Sequence, residues 1–228
     1  AEKVLSYSLG YGASRLFRML NAFQMYWHVQ GMLTRYSGQI TYNGRSFDVR
    51  PETSAGYQDK NWGTDFTRLW IWLNCNHLVS RKTGKLLTST SLVVGGAEAV
   101  LWGVPLPRRL LVAFHHEGEL YEFNFTKLWT LPGQRMACGP VDDNVRWKVE
   151  AWNRWSRIRI EFSCPRAHMQ LFNYENPDGQ RLHRQLWNGG SANGIIELYD
   201  RRGGGEVLID SFDGMHGGCE YGEASAAA

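Results

Sequence analysis

The sequence predicts an all-β protein assembled from consecutive antiparallel hairpins, and three observations predict it. Turn signals recur at short intervals. The segments between them alternate apolar and polar residues. Beyond the first 30 residues, no stretch keeps a helical apolar period over a useful length. A meander of hairpins without helical crossovers must close or double over to hide its edges, so an up-and-down barrel and a sandwich are the two architectures available.

Residues 1–24 read as a lead-in, with residues 13–26 spaced for a short helix, and one domain is expected over residues 25–222. Residues 38–42 and 45–49 flank Asn43-Gly44, the dipeptide favoured in two-residue hairpins because both central positions need positive φ. Residues 66–79 and 86–94 flank a polar loop containing Gly84. Residues 110–116 and 120–126 flank Glu117-Gly118-Glu119, with Tyr121, Phe123 and Phe125 on one face. Residues 145–152 pair with 155–163, and 193–201 with 206–212 across Gly203-Gly204-Gly205, giving roughly nine to eleven strands. Those three glycines are loop residues and no phosphate cradle, because no helix follows them. Residues 223–228 read as a disordered tail or cloning remnant.

Residues 69–77 carry large apolar groups on both faces, Trp70 and Trp72 on one and Leu69, Ile71 and Leu73 on the other. One face should line a core or lumen. The other must be covered by a helix, a second sheet or a second domain.

The chain of 228 residues is 43% hydrophobic and 21% charged, with 10 Trp, 10 Tyr and 10 Phe, so the aromatic share is high for an ordinary soluble composition. A formal net charge of +3 with scattered basic residues argues against a nucleic-acid partner. Peripheral contact with an anionic membrane surface stays open. Cys75, Cys138, Cys164 and Cys219 show no paired spacing, which points to free thiols in a reducing compartment, cytoplasmic or plastid-like, and away from zinc. No apolar run approaches ~18 residues and no signal peptide is visible, so the expectation is a soluble or peripheral protein. The first methionine is Met19, and the chain reads as a piece of something longer.

The segment with the most chemistry is Tyr57-Gln58-Asp59-Lys60-Asn61-Trp62-Gly63, followed by Leu69-Trp70-Ile71-Trp72-Leu73-Asn74-Cys75-Asn76. It sets an acid, a base, an amide and a large π-surface side by side, groups that become reactive in an apolar cavity where low dielectric strengthens electrostatics. If residues 57–62 are extended, Tyr57, Asp59 and Asn61 share one face, and Gln58, Lys60 and Trp62 the other. A turn is the competing reading: Asp59 and Asn61 then bond local backbone, Trp62 plugs a barrel end and Gly63 supplies positive φ. Trp70 and Trp72 equally suit plain core packing.

The same segment, with Phe66, Arg68, Trp70, Trp72, Cys75 and Asn76, resembles the tocopherol cyclase family, whose second half carries a Tyr-x-x-Lys-Asn-Trp-Gly signature before a Trp-rich strand. Residues 27–47 resemble the lead-in to that signature, and Tyr121-Glu122-Phe123 resembles a Tyr-Glu-Phe strand of the family. A related element occurs in carotenoid hydratases. The resemblance covers about residues 25–220 and implies a lipocalin-like (calycin) antiparallel β-barrel lacking the additional half of plant-type members.

The resemblance implies closure of a chromanol ring: a prenyl double bond is protonated and the quinol oxygen captures the tertiary cation, with no redox cofactor and no metal. Asp59 is the first candidate acid, since burial disfavours a charged carboxyl, and Asp65 is the reserve. Asn61 orients the carboxyl or the quinol, and Tyr57 faces the cation. Trp62, Trp70, Trp72, Asn74, Asn76 and Lys60 are the candidate ligand-binding residues in an aromatic lumen. The partner implied is an amphiphilic prenyl-quinol molecule. Three alternatives stay open: a non-catalytic prenyl or carotenoid carrier, an alkene hydratase, and a carbohydrate-binding β-sandwich with tryptophans on an exposed concave face. His28 and His77 are further candidates for the lumen. Adjacent His115 and His116 point to opposite faces and cannot share a metal in the usual way. Arg154, Arg157 and Arg159 read as a solvated face or an acidic-lipid contact.

Overall fold

The computed structural model describes residues 2–66, 69–98, 100–130, 132–176, 179 and 182–222; Arg68 of the signature lies outside them. The strands are β1 (Glu2–Tyr11), β2 (Met25–Arg35), β3 (Gly38–Tyr42), β4 (Arg45–Val49), β5 (Ala55–Gly63), β6 (Trp70–Cys75), β7 (His77–Ser80), β8 (Leu86–Leu87), β9 (Ser91–Ala97) and β10 (Val100–Leu101). They continue with β11 (Val104–Pro105), β12 (Arg109–His116), β13 (Glu119–Asn124), β14 (Gly133–Val141), β15 (Asn144–Trp152), β16 (Ser156–Pro165), β17 (Met169–Glu175), β18 (Leu182–Asp200) and β19 (Val207–Gly222). The one described α-helix, α1, is Arg15–Met19.

The architecture is all-β and lipocalin-like. A large curled antiparallel sheet runs in the order β13-β12-β9-β6-β19-β18-β16-β15-β14, with β7, β8 and β17 at its sides. The curl brings residues of one face together in a packed core: Leu73, Leu92, Val112, Phe114, Trp147, Ile160 and Phe212 are buried there, each side chain of this size worth about 1.5–3 kcal/mol when removed from water. Near the ends of the sheet, Gln134 of β14 accepts from the Leu110 amide (2.9 Å) and donates to the Arg108 carbonyl (3.2 Å). This amide side chain stitches the two ends of the curl where no strand ladder joins them.

β1, β2 and β5 form a separate three-stranded sheet. It covers the opposite face of the large sheet, where Leu5, Leu9, Val29, Met32 and Leu33 pack on Val93, Leu111 and Ala113. That is why residues 69–77 are apolar on both sides: Ile71, Leu73 and Cys75 enter the packed core, and Trp70 and Trp72 turn towards the small sheet. The lead-in begins with a ten-residue strand, β1, and the helix expected over residues 13–26 shrinks to α1, because Met25 onward is claimed by pairing with β1 and β5.

The Asn43-Gly44 turn forms with φ of 48° and 73°, and Glu117-Gly118 makes the same kind of two-residue turn at 49° and 82°. β3 and β4 pair as expected. β6 and β9 pair with each other, and β7 with β8. β18 and β19 run further than the sequence suggests and form a long twisted ribbon with register shifts at 189–194 and 198–199. The four cysteines are free thiols; Cys75, Cys164 and Cys219 are buried.

Candidate functional site

A cavity of about 330 Å³ lies between the small sheet and the covered face of the large one. Its walls come from β2 (Met25, Tyr26, Trp27), β5 (Tyr57, Asp59, Asn61), β6 (Trp70, Trp72), β9 (Gly95, Ala97), β12 (Arg109, Leu111) and β19 (Glu220), closed by Phe66, Phe125 and Tyr174. The interior of the curl holds the packed core, so the expected aromatic lumen takes the form of an inter-sheet cavity.

β5 is extended, and alternation aims Tyr57, Asp59 and Asn61 into the cavity. The strand ends at Gly63, where a Cβ would collide with the Gln24 carbonyl oxygen, so only glycine permits this approach of β5 to β2. Asp59 Oδ2 accepts hydrogen bonds from the Trp27 indole N–H (2.5 Å) and the Tyr57 hydroxyl (3.1 Å). Burial, then the charge of Asp59, pushes the Tyr57 phenol well above its ordinary range, so it remains a donor.

Across the cavity, Glu220 pairs in register with Trp72 and with Asn188. Its Oε2 accepts from the Trp70 indole (2.6 Å) and its Oε1 from the Asn188 amide (2.7 Å). Burial raises the Glu220 pKa above its ordinary value, and the charge of Asp59 raises it further, against the lowering effect of the two donors. The cavity therefore presents a carboxyl pair, each member held by an indole N–H. The Trp72 indole N–H is buried and has no hydrogen-bond partner among the described residues. Its ring lies 5.2 Å from that of Tyr57. Gly95 and Gly218 make room for the indoles: a Cβ on the first would meet Trp27 at 2.8 Å, and on the second Trp72 at 2.9 Å.

The other sequence candidates fall elsewhere. Lys60 is exposed, and Trp62, on the same face of β5, stacks on Tyr26 at 5.6 Å and meets Tyr11 edge-on at 6.0 Å. Asp65 accepts from Asn176 (2.8 Å) outside the cavity lining. Asn74 and Asn76 bond the backbone, reaching the carbonyls of Leu92 (2.9 Å) and Gly56 (3.0 Å). Asn76 thereby ties β5 to the large sheet, a positioning contact and no lining one. His28 stacks on Tyr11 and His77 meets His216, both away from the cavity. Arg157 is held between Glu150 and Glu206, and Arg154 lies over Trp155, so that cluster is internally paired.

Sequence reasoning missed Glu220, 161 residues after Asp59; the one available signal was an acid inside the Gly217-Gly218-Cys219-Glu220-Tyr221 strand, where alternation aims it opposite the packed Cys219 and Tyr221. Trp27 was visible only as part of the lead-in. Its role as a donor needed the pairing of β2 with β5.

A family profile described as tocopherol cyclase-like matches residues 11–222. The chain belongs to the tocopherol cyclase-like family. Among curated proteins, it is similar to a probable chloroplastic tocopherol cyclase of Oryza sativa subsp. japonica, 27% identical over 133 residues. It is also similar to the chloroplastic tocopherol cyclase of Zea mays, 26% identical over the same length. Each match covers 58% of this chain and 24% of the relative, so the matched stretch spans about a quarter of those proteins. No solved structure matches the chain. In this family member Trp70 and Trp72 face a cavity between two sheets and not an open concave surface, which removes the geometry a carbohydrate-binding sandwich needs. Among the described residues, no helix is long and apolar enough to cross a membrane, and no group of His, Cys, Asp and Glu is placed to hold a metal ion.

Proposed function

We propose that the cavity cyclises a prenylated quinol to a chromanol by acid catalysis. The observation that carries this reading is the carboxyl pair, Asp59 and Glu220, facing one cavity walled by Trp27, Tyr57, Trp70 and Trp72. A volume of about 330 Å³ suits the quinol ring and the reacting prenyl unit, with the rest of an isoprenoid tail continuing outside, since ligand pockets run from about 300 Å³ upward.

The pair supplies a proton to the less substituted carbon of the prenyl double bond. Glu220 is the member whose burial and charged neighbour favour the acid form. The tertiary cation forms against the faces of Trp70, Trp72 and Tyr57, where each ring contributes about 0.5–2 kcal/mol. The quinol oxygen closes the ring and its proton returns to the carboxylate, so the reaction is an isomerisation and consumes nothing. The Tyr57 hydroxyl and the Asn61 amide, both in the cavity lining, are the groups that orient the quinol oxygens.

Incubation with a prenylated quinol and chromatographic detection of chromanol tests this. Asp59→Asn and Glu220→Gln should each lower turnover by about 100-fold or more, the usual scale for a general acid. Product formation undiminished in both variants rules the pair out as the proton source. Saturable quenching of tryptophan fluorescence without any product identifies a carrier that uses the same cavity.

A further inference from the structure

Beside the cavity, three segments meet on a small apolar cluster of Ala13, Ala22, Phe23 and Tyr26 backed by Phe17, Leu101, Leu106 and Phe125. The segments are α1 with the turn after it, the β10–β11 hairpin, and Phe125-Thr126, which lead into the 3-10 turn Leu128–Thr130. They are tied together: the Ser14 amide donates to Thr126 (3.0 Å), the Trp102 amide to the Ala22 carbonyl (3.0 Å), and Phe23 bridges to Leu101. Above this cluster they hold an apolar apron out to solvent. Leu16, Met19, Leu20, Val104 and Leu128 are exposed, with Trp102 at 61% and Trp129 at 67%.

Charge separates this apron from a surface made for an ordinary protein partner or for water. No acidic residue occurs in residues 13–27, 99–116 or 125–141, whereas Arg15, Arg18, Arg108, Arg109, Lys127 and Arg135 do. Lys127 is paired with Glu122 (2.6 Å); Arg15, Arg108 and Arg109 make no ion pair among the described residues. Exposed indoles beside free arginines suit the headgroup layer of an anionic bilayer, where an amphipathic ring has one face apolar and one edge wet. The apron is also continuous with the cavity: Ala13, Tyr26 and Phe125 belong both to the cluster beneath it and to the cavity wall.

We propose that this apron docks the protein on a lipid surface carrying anionic headgroups, with Trp102 and Trp129 inserted and Arg15 and Arg108 at the phosphate level. The proposal rests on exposure, charge and position, and stands whether or not the cavity is catalytic.

Flotation with phosphatidylcholine vesicles, with and without phosphatidylglycerol, tests it in the absence of any prenyl substrate. The protein should float with the phosphatidylglycerol vesicles and show a blue-shifted tryptophan emission, weakening as salt rises. Trp102→Ser with Trp129→Ser should lower the partition at least tenfold on these vesicles, and Arg15→Gln with Arg108→Gln should lower it about 25-fold, because each basic side chain near an anionic surface is worth about fivefold. Neither pair lines the cavity, and circular dichroism checks that both variants are folded. Failure of the protein to float, or equal flotation of protein and both variants, overturns the proposal. So does a sedimentation-velocity dimer that the tryptophan pair abolishes, which would assign the apron to a second copy of the chain.

Discussion

The Trp27 indole nitrogen donates to Asp59 Oδ2 at 2.5 Å between adjacent strands of the small sheet. A long aromatic side chain on β2 thus fixes the carboxyl offered by β5, and Tyr57 completes the bond pattern from two residues away on the same face. Trp27→Phe keeps the ring and removes the donor. It should cost about 1–2 kcal/mol in a urea titration and lower chromanol formation more than it lowers ligand affinity. Unchanged turnover would show that the Asp59 orientation does not matter to the reaction.

Glu220 gives a signed pH dependence. Its native pKa is raised above the ordinary value of 4.5, so over the window above 4.5 the folded protein binds more protons at this site than the unfolded chain, and stability falls as pH rises through the native value. Below that window the effect is absent. Urea midpoints of wild type and Glu220→Gln should therefore diverge in favour of the variant as pH increases. Parallel curves across that range would contradict the raised value.

Trp72 carries a buried indole N–H with no partner in the cavity wall, and an unsatisfied buried donor costs about 1–3 kcal/mol. Trp72→Phe removes the donor and keeps most of the ring. Its thermal midpoint should stay level or rise, and affinity for a quinol, read by fluorescence titration, should change little, because the buried nitrogen does not reach the cavity space. A lowered midpoint would show that the indole N–H is paired in the folded protein.

Gly95 is placed so that a Cβ would come 2.8 Å from the Trp27 ring. Gly95→Val should push that indole off Asp59, cost about 1–3 kcal/mol by overpacking, and lower turnover together with stability. A crystal structure of the variant with the Trp27 to Asp59 bond intact would show that the wall yields elsewhere.

Trp62 is the contrasting aromatic of the signature, since it stacks on Tyr26 away from the cavity lining. Trp62→Ala should lose about 1 kcal/mol or more through its aromatic contacts, with KM unchanged. A raised KM at unchanged stability would move Trp62 into the binding site.

The sequence by itself determined the all-β character, the tight turn at Asn43-Gly44 and the two-sided apolar character of residues 69–77, and it offered a shared face for Tyr57, Asp59 and Asn61 on condition that the segment is extended, which pairing with β2 then decided. These follow from local chemistry: φ preferences at Asn43-Gly44, and side chains alternating along an extended backbone. Only the tertiary structure decided that β1, β2 and β5 leave the large sheet and cover it, that the cavity lies between the two sheets, and that Asn74, Asn76 and Asp65 serve the frame. It also decided that Glu220, 161 residues after Asp59, stands across the cavity from it. Pairing between distant strands is set by which apolar faces can be buried together, and that choice is not encoded in the neighbours of any one residue.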